Sequence, residues 1–291
     1  MATDLIAKLD QMGVQARAAA RILALASTEA KTQALLGAAD AVKANQSDIL
    51  AANKKDLAAG KTKGLTPALL DRLMLDPARL DAIAQSLRDI AALPDPVGET
   101  ITSLSRPNGL AISRVRVPIG VLGIIYESRP NVTIDAGALC LKSGNGVILR
   151  GGSESLHSSI ALHACLITGL RLAGLPEHAI QLVPTSDRAA VGAMLTGLNG
   201  TIDVIIPRGG KSLIERVSAE ASIPIIKHLD GLCHVYVDDG ADLSKAFDIA
   251  INSKTRRYGV CNAMETLLVA DSVAKDFLPR LIKALIEKEV E

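Results

Sequence analysis

Cys261 is the residue whose neighbours in the sequence most suggest a chemical role. It stands in a glycine-containing turn, residues 258–261, and Arg256 and Arg257 lie a few positions upstream. A cysteine reacts as its thiolate, which nearby positive charge or backbone N–H groups stabilise. Taken alone, the residue type favours an unreactive side chain, because cysteine is among the residues most often buried.

The four cysteines of the chain show no metal-binding pattern. They lack CxxC spacing, and no cysteine–histidine pairs stand at zinc-finger distances. We therefore predict reduced thiols and no metal site. If one cysteine is functional, we expect a nucleophile.

Loops rich in glycine, proline and small polar residues follow the apolar segments that we predict to be strands. They comprise residues 126–131, 150–153, 184–187 and 207–212. Ligands of open α/β sheets gather at the carboxyl ends of the strands. One such loop would mean little, but four in succession predict a ligand cleft.

The usual phosphate-binding motifs are absent. The glycines of residues 144–146 precede a predicted strand and lack the third glycine of a dinucleotide fingerprint. Residues 210–212 resemble the end of a P-loop, but Ile205 stands where that motif needs glycine. Neither a standard Rossmann site nor a nucleoside triphosphatase is predicted.

The hydrophobic pattern predicts the helices and strands that position these loops. Residues 1–93 have apolar residues at helical spacing, and Thr66-Pro67 and Asp76-Pro77 are typical helix starts. Asn108-Gly109 predicts a β-hairpin over residues 99–117. One of its faces is expected to be solvated or to pair with another subunit.

From Gly120 onward, short apolar strands alternate with helices, which is typical of a parallel sheet buried on both faces. The predicted strands are 121–125, 147–149, 180–183, 204–206 and 223–226. The predicted helices lie around 132–142, 155–173, 188–196 and 210–220. A second α/β unit begins near His234, with strands at 235–237 and 266–269 and helices at 243–253 and from 272 onward.

Composition limits the classes of protein. The chain has 291 residues, 48% apolar and 2% aromatic, so we expect a large aliphatic core in two domains. The net charge of +1 argues against a nucleic-acid or membrane-surface partner. The most apolar stretch, 117–126, is too short to span a bilayer, and residues 1–5 do not resemble a signal peptide. We predict a cytoplasmic protein.

Several motifs occur in the order and rough spacing of the aldehyde dehydrogenase superfamily: residues 118–121, 141–145 with Arg150 beyond, 229–231 and 258–261. Two longer stretches, 124–133 and 258–266, resemble the gamma-glutamyl phosphate reductase family. The resemblance covers essentially the whole chain. It implies an aldehyde dehydrogenase-like α/β fold, with an NADP-binding domain over residues 1–232 and a partial catalytic domain over 233–291.

The resemblance also implies a reaction, the NADPH-dependent reduction of L-glutamyl 5-phosphate to L-glutamate 5-semialdehyde in proline biosynthesis. Cys261 matches the cysteine that attacks the acyl phosphate and carries the thioester. Asn131 matches the oxyanion-hole asparagine, partnered by the Cys261 backbone N–H. A simple Asx turn is the alternative role for Asn131.

For the cofactor, Arg150 stands where superfamily members place a lysine against the adenosine ribose. Ser153 replaces a glutamate that in many NAD-dependent members binds the ribose hydroxyls. Because a carboxylate would repel a 2′-phosphate while arginine and hydroxyl accept one, we predict NADPH over NADH. Ser153 could also cap the following helix. Gly209 and Gly210 match the loop near the cofactor phosphates.

His228 replaces the glutamate that acts as general base in hydrolysing aldehyde dehydrogenases, which suits a reductase whose thioester must await hydride. For the substrate phosphate, charge and loop position suggest four candidates: Arg129, Lys142, Arg256 and Arg257.

Members of the resembled family continue well past Glu291 and form homo-oligomers. We therefore expect a C-terminally truncated chain with an incomplete site and little or no activity, and glutamate 5-kinase as the supplier of the labile substrate. Two alternatives stay open. One is another oxidoreductase of the aldehyde dehydrogenase superfamily, and the other is a non-catalytic nucleotide-binding fragment.

Overall fold

The computed structural model describes residues 2–127, 129–228, 231–258 and 260–290. Its contacts divide the chain into two compact units, Met1–Lys227 and His228–Glu291. The domain boundary predicted at residues 232 and 233 lies a few positions later. The assignment of cofactor binding to one unit and catalysis to the other stays a prediction.

Helices form the first part of the first unit, as the spacing of apolar residues predicts. They are α1 (Ala2–Leu23), α2 (Thr28–Ala44), α3 (Gln46–Thr62), α4 (Pro67–Leu73) and α5 (Pro77–Ala92). The two predicted helix starts are confirmed. The Thr66 side chain accepts a hydrogen bond from the Leu69 N–H, and Asp76 accepts one from the Arg79 N–H.

The predicted hairpin is confirmed. Strands β1 (Thr100–Ser105) and β2 (Ala111–Val115) pair antiparallel, and Gly109 in the turn has a φ of 84°. Glycine adopts this left-handed conformation without a steric penalty. Every residue of both strands is exposed in the single chain, so both faces are uncovered rather than one.

A parallel sheet forms the centre of the first unit and confirms the predicted fold class. Its strands are β3 (Val121–Tyr126), β4 (Gly146–Arg150), β5 (Ile180–Leu182) and β6 (Val204–Arg208), in the order β5-β4-β3-β6. The connecting helices are α6 (Asn131–Lys142), α7 (Leu156–Leu172) and α8 (Arg188–Leu195), and α9 (Lys211–Glu220) follows β6.

The strand predicted over residues 223–226 is wrong. That segment makes only an isolated parallel bridge, in which Ile225 lies opposite Ile205. The Ile205 N–H donates to the Pro224 carbonyl, and the Ile226 N–H donates to the Ile205 carbonyl, both at 2.9 Å. Pro224 has no N–H to continue a ladder, and Ile226 is exposed.

Both faces of the sheet are buried under helices because successive strand residues point to opposite sides. Val147 and Leu149 join the aliphatic cluster formed with α2, α5, α6 and α7. Ile148, between them, joins the cluster formed with α1, α8 and α9. The core is aliphatic, as the composition predicts.

The second unit contains strands β7 (Cys233–Val237) and β8 (Met264–Val269), which pair in parallel. Helix α10 (Leu243–Thr255) connects them, and α11 (Asp271–Glu287) follows β8. Its buried core is small and comprises Val237, Ala250, Phe277 and Leu281.

The crossing of α2 and α7 gives a first test of the fold. A Cβ at Gly169 would overlap the Ala34 carbonyl oxygen and lie 2.8 Å from the Ala38 nitrogen, so the helices would have to separate. We expect Gly169→Ala to lower the free energy of unfolding by about 1–3 kcal/mol. Urea unfolding followed by circular dichroism measures this change.

Gly192, on α8, is the matched control. A Cβ there meets nothing within 4 Å, so Gly192→Ala adds only helix propensity and is expected to stabilise by up to about 1 kcal/mol. Equal effects of the two substitutions would contradict the packing of α7 on α2.

Candidate active site

The loops after the parallel strands emerge at one edge of the sheet. From β3 the chain proceeds through β4 to β5 on one side, whereas β6 pairs on the other side of β3. This change of direction marks the position between β3 and β6 where α/β sheets bind ligands. The Glu127 N–H donates to the Arg208 carbonyl at 3.1 Å, which keeps the two loops together beyond the strands.

Glu127 occupies the amino terminus of α9. Its carboxylate accepts a hydrogen bond from the Gly210 N–H at 2.8 Å, where the helix dipole favours negative charge. A Cβ at Gly209 would lie 2.6 Å from the Glu127 carboxyl carbon, so the close approach requires glycine at that position. Nothing near Glu127 in the sequence predicts this role, because the contact joins residues 83 positions apart.

Arg150, at the end of β4, is buried and connects two loops through hydrogen bonds. Its guanidinium donates to the carbonyls of Gly151 and Ser186, each at 2.9 Å. Its buried Nε has no hydrogen-bond partner among the described residues. Burial lowers the pKa of Arg150, and the Glu154 carboxylate opposes that shift.

Ser153 does not cap a helix. It begins a short 3₁₀ turn, Ser153–Ser155, whose capping position is Gly152, and its hydroxyl donates to the Glu154 carboxylate at 2.7 Å. The capping role considered for Ser153 is therefore wrong. The structure instead places a carboxylate beside this hydroxyl.

A group of arginines surrounds this edge of the sheet. Arg188 begins α8 and is exposed, and Arg216 lies on α9. Burial is the largest cause that lowers the pKa of Arg150. The positive charges of Arg188 and Arg216 lower it further, by less. Positive charge near the ends of β4, β5 and β6 suits a phosphorylated ligand. Arg188 was not among the residues predicted from the sequence, although it lies one residue beyond the loop of residues 184–187.

A cleft of about 710 Å³ lies in the first unit beside α6 and the β3–β6 pair. Its walls are mostly apolar, and its polar side chains include Arg129, Asn131, Asp135 and Arg208. With Arg116, three guanidinium groups line the cleft, and such groups can accept a small anionic molecule.

Asn131 is the first residue of α6 and lines this cleft. Its side-chain amide donates to the Asp135 carboxylate at 2.9 Å, and Asp135 accepts a further bond from Ser86 at 3.0 Å. A primary amide carries two N–H groups, so one donor is used in holding the side chain. The second N–H is the one that can donate to an oxyanion.

The position of Lys142 excludes its predicted role in binding the substrate phosphate. It is buried in the last turn of α6, and its ammonium donates to the Ala91 carbonyl at 2.8 Å. Burial lowers its pKa, while nearby Asp95 opposes that shift. The same Asp95 makes a buried 2.5 Å ion pair with Lys31. Lys142 is therefore not available to a phosphate in this structure.

Cys261 lies in the second unit, in the turn before β8, and is exposed. Arg256 and Arg257, after α10, are exposed as well. Gly231 packs so closely on the Cys261 carbonyl that any Cβ would overlap it. His228 is exposed, whereas Leu229, Asp230, Gly259 and Ser128 of the resembling motifs lie outside the described residues.

The family model that describes the aldehyde dehydrogenase family matches residues 6–291. The chain belongs to the aldehyde dehydrogenase family. The resemblance predicted from the motifs is thereby confirmed.

Similar proteins include gamma-glutamyl phosphate reductases. That of Mesorhizobium japonicum is 60% identical over 97% of this chain and 66% of its own length, and that of Parvibaculum lavamentivorans is 59% identical over 99% and 68%. The chain thus spans about two thirds of the length of the curated relatives it matches. The crystal structure of gamma-glutamyl phosphate reductase from Thermotoga maritima superposes with a TM-score of 0.90 at 41% identity, covering 97% of this chain and 68% of that one.

The described residues of this aldehyde dehydrogenase family chain lack two other features. No helix among them is both long and apolar enough to cross a membrane. Across the same ranges, no group of three or more histidine, cysteine or acidic side chains is arranged to hold a metal ion.

The exposure of Cys261 predicts selective alkylation. Cys140 and Cys165 are buried, and burial raises their pKa values to about 12 and about 11, so both remain protonated at pH 8. With a limiting amount of iodoacetamide, we expect carbamidomethylation at Cys261 well before Cys140 or Cys165, as peptide mass spectrometry measures. After unfolding in urea, all three should react. Early modification of Cys140 or Cys165 in the folded chain would contradict the placement of these thiols.

Proposed function

We propose that the chain takes part in the NADPH-dependent reduction of L-glutamyl 5-phosphate to L-glutamate 5-semialdehyde, with release of phosphate. The observation that carries the proposal is an exposed Cys261 in a chain that is 57–60% identical to curated gamma-glutamyl phosphate reductases over nearly its whole length. The reaction belongs to proline biosynthesis.

In the first step, the Cys261 thiolate attacks the acyl carbon of the substrate. The carbon–oxygen bond to phosphate breaks, phosphate leaves with the electron pair, and a thioester remains on Cys261. NADPH, when bound, would supply the hydride that reduces the thioester carbonyl carbon. Breakage of the carbon–sulfur bond then releases the aldehyde and returns the thiolate.

Oxyanion stabilisation is assigned to Asn131 and to the backbone N–H of Cys261. The support for Asn131 is that Asp135 accepts a hydrogen bond from one of its two amide N–H groups and holds the side chain in place. A fixed donor stabilises developing negative charge without reorganisation during the reaction. His228 is no substitute for the carboxylate base of a hydrolysing enzyme, which favours survival of the thioester until it is reduced.

For the cofactor, Arg150, Arg188 and Arg216 provide positive charge near the ends of β4, β5 and β6. The unpartnered buried Nε of Arg150 is one donor that a ribose or phosphate oxygen would satisfy. Ser153 supplies a hydroxyl rather than a carboxylate, although Glu154 lies next to it and would oppose a 2′-phosphate. Arg216 is paired with Glu220 at 3.0 Å, so the preference for NADPH rests on Arg150 and Arg188.

Cofactor phosphates are assigned to the loop of Gly209 and Gly210. The Gly210 N–H that such a phosphate would use is bonded to the Glu127 carboxylate. Glu127 therefore has to move before a phosphate can bind to this helix terminus.

The substrate's own anionic groups are assigned to Arg129 and Arg208, which line the same cleft as Asn131. Arg256 and Arg257 remain candidates because of their exposure near Cys261 in the sequence. Lys142 is removed from this set because it is buried.

An acyl phosphate is reactive towards water, so a kinase that phosphorylates the side-chain carboxylate of glutamate must supply the substrate. Glutamate 5-kinase fits that requirement. Cytoplasmic location, homo-oligomer formation and the absence of nucleic-acid and membrane partners stay predictions.

Acyl transfer to Cys261 tests the proposed chemistry without requiring hydride transfer. Acetyl phosphate, a simple acyl phosphate, should acetylate Cys261, and neutral hydroxylamine should remove the acetyl group because it is a thioester. Intact mass and peptide mass spectrometry follow both reactions. Cys261→Ser should abolish the hydroxylamine-sensitive adduct, whereas Cys140→Ala, in the first unit, should leave it intact.

An adduct that forms at an equal rate in Cys261→Ser, or that lies only on lysines and resists hydroxylamine, would exclude the thioester mechanism. Cofactor binding without any acyl transfer would favour a non-catalytic nucleotide-binding module.

Arg188 tests the preference for NADPH. Removal of one guanidinium from a charge-assisted phosphate contact costs about 1.4 kcal/mol or more, so Arg188→Ala should weaken NADPH binding about tenfold. NADH, which lacks the 2′-phosphate, should bind nearly unchanged. Fluorescence titration of the nicotinamide measures both affinities.

Arg171→Ala provides the matched control, because Arg171 is exposed and paired with Glu177 at 2.8 Å on the last turn of α7. It removes the same charge and should leave both affinities unaltered. Equal losses for NADPH and NADH in Arg188→Ala would show that Arg188 does not recognise the 2′-phosphate.

A further inference from the structure

Two cysteines approach each other in the second unit. Cys233 is the first residue of β7 and is partly buried, and Cys261 lies in the turn that leads into β8. The Cys233 Sγ lies 3.5 Å from the Cys261 carbonyl oxygen and donates a hydrogen bond to it. In the parallel pairing of β7 with β8, Cys233 lies opposite Met264, three residues after Cys261.

The Cys233 sulfur lies close to the backbone of Cys261. A carbonyl oxygen lies within about 2.8 Å of its own Cα, the most that the two intervening bonds allow. The Cys233 sulfur is therefore within roughly 6 Å of the Cys261 Cα, given its 3.5 Å contact with the carbonyl oxygen. The Cys261 side chain is exposed and can rotate about its Cα–Cβ bond towards the Cys233 sulfur, so that the two sulfurs can meet at the bonding distance of about 2 Å.

Gly231 helps to maintain this approach. A Cβ at this position would overlap the Cys261 carbonyl oxygen and would lie 3.6 Å from the Cys233 sulfur. The segment entering β7 therefore packs directly against the peptide of Cys261. In contrast, Cys140 and Cys165 are buried on α6 and α7 of the first unit.

We propose that Cys233 and Cys261 form an intramolecular disulfide when a peroxide oxidises the exposed Cys261 thiol. The Cys261 thiolate attacks one peroxide oxygen, the O–O bond breaks, and a sulfenic acid forms with release of water after protonation. The Cys233 thiolate then attacks the Cys261 sulfur, the S–O bond breaks, and a second water leaves. In sum, two thiols and one hydrogen peroxide give one disulfide and two waters.

The disulfide would protect Cys261. A sulfenic acid with no neighbouring thiol proceeds to sulfinic acid, which thiol reductants do not reverse, whereas a disulfide is reduced back to two thiols. While it persists, Cys261 is unavailable as a nucleophile. The bond requires only two thiols within reach, so its test does not depend on whether the chain reduces an acyl phosphate.

Peptide mapping tests the proposal on the whole chain. The chain is treated with equimolar hydrogen peroxide, remaining thiols are blocked with N-ethylmaleimide, and trypsin is added without reductant. We expect residues 228–245 linked to residues 258–275, an intact mass lower by two hydrogens, and complete reversal by dithiothreitol. Alkylation of Cys261 by iodoacetamide should be lost on oxidation and restored on reduction.

Cys233→Ser should yield no linked peptide, and its Cys261 should proceed to sulfinic acid several times faster than in the unsubstituted chain. Cys140→Ala, the control, should keep the link. Sulfinic acid forming at the same rate with and without Cys233 would overturn the proposal. So would a linked peptide whose yield rises with protein concentration, because that bond would join two chains.

Discussion

The parallel pairing of β3 with β6 is the constraint on which the candidate site depends. Asp203, just before β6, accepts hydrogen bonds from the Val121 N–H at 2.7 Å and from the Arg17 guanidinium at 2.7 and 2.9 Å. This carboxylate therefore fixes the starts of both strands and attaches α1 to them. A Cβ at Gly120 would overlap it, and Gly120 has a φ of 132°. With the starts fixed, the register from Leu122 opposite Val204 onward determines which loop residues meet at the other end.

Because those loops meet at one edge of the sheet, residues that are distant in the sequence come into contact. Glu127 reaches Gly210 because Tyr126 lies opposite Arg208 at the end of the register. The chain thereby satisfies the amino terminus of α9 with its own carboxylate. Arg150 is held on backbone carbonyls in the neighbouring loop. An anion that used the Gly210 N–H would have to displace the Glu127 carboxylate.

Local signals in the sequence predicted most of the elements, and nonlocal contacts account for the errors. Thr66, Asp76 and Asn108-Gly109 act within a few residues, so their helix starts and hairpin were predictable. The apolar segment 223–226 resembled a strand, but pairing depends on Pro224 and on a neighbour far along the chain. Lys142 carried the charge that a phosphate site needs, yet burial against α5 is invisible in a linear sequence. The exposure of Cys261 likewise required the structure, because most cysteines are buried.

Hydrogen–deuterium exchange with saturating NADPH tests most directly whether the edge of the sheet after β3, β4 and β6 holds the cofactor phosphates. We expect slower amide exchange in residues 150–156 and 208–213 and unchanged exchange in the exposed β1–β2 hairpin. Binding of NADPH without protection in these two segments, or with protection confined to other parts of the chain, would contradict it.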